Sequence, residues 1–156
     1  MIGNMRTKKY RIGFSPEGLI GSLLVILPNI LWAIMPSANN VLVENSVDIP
    51  SLDLIMNICR FALIALLVLV VNKSRKEDKK AKHLLVSAIV CLLVYYVSWA
   101  LFYGGTTNPW LFIIGLALAP SVLFVSLALW LGNKPALIPA VIFTVLHVTV
   151  VGIGFL

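Results

Sequence analysis

A single arginine, Arg60, lies inside SLDLIMNICRFALIALLVLVV, residues 51–71, an apolar run long enough to cross a bilayer. A guanidinium at membrane depth costs at least about 2.5–3.5 kcal/mol on insertion scales, so something must compensate it. Asp53 and Asn57 precede it by seven and three residues. At 100° per residue the three fall within about 60° of one helix face. The chemistry open to such a stripe is recognition. Arginine grips planar oxyanions through paired N–H donors, and a carboxylate such as Asp53 would orient it as an ion pair. The plainer reading is that Arg60 snorkels outward and pairs with Asp53 for structural reasons alone.

Other polar and aromatic residues repeat at helical spacing. Asn29, Trp32 and Pro36 stand at i, i+3, i+7, as do Tyr96, Trp99 and Tyr103, and Thr144 and His147 at i, i+3. Each set makes a stripe on one helix face. If the stripes converge, Arg60, Asn57, Asn29, Trp32, Tyr96, Trp99 and His147 line one pocket. Such a pocket suits a small amphipathic or anionic molecule, held by Arg60 and by flat aromatic faces. The competing readings are bland. Tyr103 and Trp110 form an aromatic belt at the membrane boundary, Asn29 caps a helix break at Pro28, and His147 is a packed, hydrogen-bonded residue.

No reaction is legible. There is no H-E-x-x-H, no G-x-S-x-G, and no pair of intramembrane carboxylates, because Asp53 is the one acid inside an apolar run. Cys59 and Cys91 sit in separate apolar runs without a C-x-x-C, which reads as two structural thiols. His83 and His147 lie too far apart in depth to share a haem. Ser98 or Ser121 with His147 has no motif to support a nucleophile pair. No cofactor, metal or catalytic residue is expected.

The elements that must position these side chains follow from composition. The 156 residues are 60% hydrophobic and 12% charged, about half the charge of a soluble domain. A soluble chain of this size has too little interior to hide so much apolar surface. The class is a polytopic membrane protein. The net charge of +6 does not indicate nucleic acid: of the twelve Lys and Arg, all except Arg60 flank apolar runs.

Five spans are predicted, at about 19–35, 52–72, 83–103, 110–131 and 136–156, behind a basic arm over 1–18. The first run could be taken for a signal peptide, but its length, its Pro28-Asn29 break and the spans behind it favour retention. The arm, the charge run KSRKEDKKAK (73–82) and Lys134 carry the basic residues, whereas the loop 36–52 and the turn GGTTNP carry none. The positive-inside rule then puts the N-terminus in the cytoplasm and the C-terminus outside. On that orientation the polar stripes gather in the outer half, over an apolar inner half.

The segments PNILWAIMPSANN, YYVSWALFYGG and NPWLF resemble a group of small, uncharacterised polytopic membrane proteins of Gram-positive bacteria, and that likeness brings no function with it. Length, span number and tryptophan content are also similar to the tryptophan-rich sensory protein (translocator protein) family, which implies that a five-helix bundle of this size can hold a ligand. That family's Trp-Pro-Pro cluster in the first loop is absent here, since residues 36–52 contain no tryptophan. The expectation is an all-α, five-helix transmembrane bundle in the cell membrane, with an outward-facing pocket around Arg60 that binds or helps move its ligand. A second expectation is an accessory subunit, in a homo- or hetero-oligomer, whose polar stripes pack on partner helices. A lipid-modifying membrane enzyme is the third. The certain partner is the lipid bilayer.

Overall fold

Ser15 starts the first span. Its extended backbone (φ −112°, ψ 103°) and its Oγ, which accepts from the Gly18 N–H at 3.1 Å, make an N-cap, and Pro16 and Glu17 suit the first turn. Helix α1 runs Pro16–Ile34 and stops before Pro36. The computed structural model describes residues 9–38, 41–74 and 79–156. Arg6 and Lys8 of the basic arm, and Arg75 and Lys76 of the charge run, lie outside the described residues.

After α1 come a single turn, α2 (Val41–Glu44), then α3 (Pro50–Leu69), α4 (Lys79–Tyr103), α5 (Ala119–Trp130) and α6 (Lys134–Phe155). A π-helical segment, Leu111–Leu118, runs directly into α5, and the two together make the fourth span. Among the described residues, five helices are thus long and apolar enough to cross a membrane. The fourth is the centre of the bundle: 72% of its apolar window is buried, against 22% in each of the others. The rest surround it, α3 beside α6, α6 and α4 against both halves of the fourth span, and α1 against α3, α4 and α5. Leu63 and Leu67 of α3, Phe102 of α4, Phe112 of the π segment and Ala136 and Ala140 of α6 are fully enclosed in the core. Gly115 lets the π segment meet α4, since a Cβ there would collide with the Ser98 side chain.

At the basic end of the bundle, part of the 1–18 segment pairs with the residues that follow α3. Tyr10–Ile12 form a strand, β1, antiparallel to β2, Val70–Asn72, with Tyr10 opposite Asn72 and Ile12 opposite Val70. The second span therefore ends at Leu69, before the expected residue 72, because the Val70 backbone turns extended (φ −121°, ψ 118°) to enter the ribbon. The last carbonyls of a helix need outside donors. Here the Gly13 N–H donates to the Leu69 carbonyl at 2.9 Å and the Ser15 N–H to that of Val68 at 2.8 Å. Asn133, almost wholly buried in the turn before α6, donates from Nδ2 to Leu66 O at 2.8 Å and Val70 O at 2.9 Å. Its Oδ1 accepts from the Ala136 N–H at 3.1 Å, so the same side chain also caps α6.

Candidate functional site around Arg60

Pro28 sets up one wall. It lacks an N–H, so the Leu24 carbonyl, one turn back, loses its helical partner. The Tyr96 hydroxyl of α4 donates to that oxygen at 2.9 Å. The next carbonyl, Val25, takes the Tyr95 hydroxyl at 3.1 Å and Asn29 Nδ2 at 3.0 Å. Asn29 Nδ2 also donates to Tyr95 Oη at 2.8 Å. Higher up, the Tyr103 hydroxyl donates to Met35 O at 2.8 Å, at the end of α1. Bare backbone carbonyls are costly where no water reaches them, and α4 supplies the donors along the broken face of α1.

The opposite wall is built around a second proline. In the π segment the pairing steps back five residues, as the Ala119 N–H bonded to Ile114 O shows. α5 returns to steps of four with Pro120 in its first turn. A change of ladder at a residue without an N–H leaves a carbonyl over. Leu116 is the residue four before Pro120, and its backbone stands next to the His147 ring of α6.

Arg60 lies between these walls at the midpoint of α3. Its guanidinium carbon stands 5.5 Å from the centre of the Phe143 ring, and Phe143 stacks on His147 at 5.0 Å with 21° between planes. A cation over an aromatic face is stabilised by the ring quadrupole. Among the described residues Arg60 makes no ion pair and no hydrogen bond. Asp53 is engaged elsewhere, for its Oδ2 accepts from the Ile49 N–H at 3.2 Å at the start of α3. That is the natural place for a carboxylate in a first helical turn. Seven residues of helix separate it from Arg60 by about 10 Å of rise. The expected orienting ion pair is therefore not formed.

The walls enclose a cavity of about 240 Å³. Its polar lining is Asn29 of α1, Arg60 of α3, Tyr95 of α4 and His147 of α6, and its apolar lining includes Phe61, Ile64, Leu116, Phe124 and Phe143. Every span contributes. Of the residues expected to converge, Asn29, Arg60 and His147 meet here and the others do not. Asn57 is exposed on the outer face of α3, because a step of three residues turns the helix 60° away and only the long Arg60 side chain reaches back round. Tyr96 is spent on Leu24 O. Trp99 is buried among Tyr95, Phe102 and Tyr103, with ring centroids 6.2, 5.6 and 6.1 Å away. Trp32 packs partly buried against the core. Among the lining residues that the stripes passed over are Tyr95 and Phe143. Tyr95 begins its own stripe with Trp99 and Phe102 at i, i+4, i+7, which is the buried face of α4. Phe143 carries no signal that separates it from a lipid-facing side chain.

The fold and its composition define a class, a multi-pass integral membrane protein resident in a cell membrane. Comparison with protein-family models, with curated proteins and with solved structures finds no match to this chain.

Proposed function

We propose that the chain binds, and helps to move, a small anionic molecule in the cavity around Arg60. The observation that carries the reading is a guanidinium inside the bundle with no carboxylate beside it among the described residues. A cation in hydrocarbon surroundings is stabilised by an anion, and an arginine that lines a cavity offers its N–H donors to whatever enters. The cavity holds about 240 Å³. It falls below the range of about 300–1,000 Å³ usual for drug-sized ligands, so a molecule of porphyrin or sterol size does not fit. The distribution of basic residues supports access from the extracellular side. Pro120 lines the cavity and Pro28 directly precedes its lining residue Asn29, and prolines so placed supply irregular backbone of the kind that membrane transporters use near their binding sites.

The test is thermal unfolding in nanodiscs across a panel of acetate, propanoate, butanoate, chloride and inorganic phosphate. Wild type should be stabilised by at least one of the anions, by RT ln(1 + [L]/Kd). Arg60→Leu should lose that response while unfolding at no lower a temperature than wild type. The same stabilisation in both proteins would overturn the reading.

One observation favours a second reading, an accessory subunit. Asn57 presents an amide on an α3 face otherwise made of Leu54, Ile58 and Phe61, all more than half exposed. A polar side chain on a lipid-facing surface is stabilised by a partner helix. Loss of a higher-order band in native electrophoresis with Asn57→Leu, and no anion effect in the panel, would select this reading.

A further inference from the structure

We infer that the anion held by Arg60 is a small hydroxycarboxylate, an inference that rests on the proposed anion site. The argument is a count of donors and acceptors left over in the cavity. Both N–H bonds of the Asn29 amide are used, one on Val25 O and one on Tyr95 Oη. Its Oδ1 is left as an acceptor. The Tyr95 hydroxyl has one hydrogen, and Val25 O takes it. His147 brings its ring to the Leu116 backbone, and a neutral imidazole that donates there from one nitrogen accepts at the other. Apart from Arg60, the polar wall has acceptors to offer and no spare donor.

A ligand that satisfies this wall has two parts. One is an anionic group for Arg60. Among the described residues one cation, Arg60, lines the cavity, so one negative charge balances it and a carboxylate fits better than a phosphate dianion. The other part is a donor for Asn29 Oδ1 or the free His147 nitrogen. A neutral hydroxyl meets this need. An ammonium would share a low-dielectric cavity with the guanidinium, where like charges repel strongly. Phe61, Ile64, Leu116 and Phe124 leave an apolar strip for a short carbon chain between the two ends. Sites that hydrogen-bond a ligand hydroxyl discriminate against the analogue without it, because the acceptor is then left bare.

The experiment compares butanoate, the three hydroxybutanoates (2-, 3- and 4-) and 4-aminobutanoate by isothermal titration calorimetry on the full chain in nanodiscs, with Arg60→Leu alongside. At least one hydroxybutanoate should bind tenfold or more tightly than butanoate, more tightly than 4-aminobutanoate, and only when Arg60 is present. Butanoate that binds through Arg60 as tightly as every hydroxybutanoate overturns the inference and leaves the anion site standing. Tighter binding of 4-aminobutanoate overturns the neutral donor. If no compound in the set binds in an Arg60-dependent way, the anion site and the inference fall together.

Discussion

The Tyr96 hydroxyl donates to the Leu24 carbonyl at 2.9 Å, and Leu24 is the residue whose helical partner would have been Pro28. The proline and the tyrosine are two halves of one device: α1 loses a rung of its own ladder and α4 supplies the missing donor. Tyr96→Phe should therefore destabilise the protein by about 1 kcal/mol, the scale of a lost interhelical hydrogen bond in a membrane. Pro28→Ala restores an N–H at residue 28 that can bond Leu24 O within α1. In that background Tyr96→Phe should cost less than half as much. A double-mutant cycle of unfolding in mixed micelles measures the difference. Equal costs in both backgrounds would mean that the tyrosine does not serve the break.

Two glycines set close approaches of different kinds. A Cβ at Gly18 would meet the Leu67 carbonyl oxygen, which is backbone, while one at Gly115 would meet the Ser98 side chain. Gly18→Ala should destabilise by about 2–3 kcal/mol, because α1 and α3 must separate. Gly115→Ala should be relieved in part by Ser98→Gly, which removes the obstacle. Side-chain substitutions on α3 should not relieve Gly18→Ala in the same way. Unfolding temperatures of the single and paired variants decide this.

The spans were legible because length and unbroken apolarity are enough to identify a membrane helix, and their order around the fourth span was not. The end of α3 was misplaced because Val70 and Val71 continue the apolar run. Nothing local marks their turn into a strand, whose partner lies some sixty residues earlier at Tyr10–Ile12. Helical spacing put Asp53, Asn57 and Arg60 on one face but could not say how sharply that face turns from lipid to cavity. Tyr95 and Tyr96 are neighbours, so the stripe through Tyr96 and the stripe through Tyr95 are equally regular, and only packing chooses between them. Nothing in the sequence around Asn133 points to its two acceptors, which lie more than sixty residues earlier at the end of α3 and the start of β2.

That asparagine should be among the least replaceable side chains at the basic end. It joins the end of α3 to the start of α6 through three hydrogen bonds. Asn133→Ala should cost about 2–4 kcal/mol, combining a lost cap with two carbonyls deprived of a donor. Asn133→Asp is the sharper test. It keeps the oxygen that accepts from Ala136 but replaces the donating nitrogen with a carboxylate oxygen facing two carbonyls. If the α3 contacts matter, Asn133→Asp destabilises at least as much as Asn133→Ala in equilibrium unfolding at neutral pH. If only the cap matters, it behaves like wild type.

Arg60 and Phe143 should show the opposite pattern, a structural cost that disappears together with a functional gain. Arg60→Leu removes a charge from apolar surroundings, so the empty protein should become more stable by about 1–3 kcal/mol. Phe143→Leu in the wild-type background removes both packing and the ring under the guanidinium. In the Arg60→Leu background it removes packing alone. The coupling between the two substitutions should be about 0.5–2 kcal/mol, the range of a cation over an aromatic face. Phe143→Leu should also weaken anion binding without abolishing it, because the guanidinium keeps its charge and loses its shelf. Zero coupling, with anion binding unchanged, would show that the ring does not hold the arginine in place. The guanidinium would then be positioned by the depth of α3 alone.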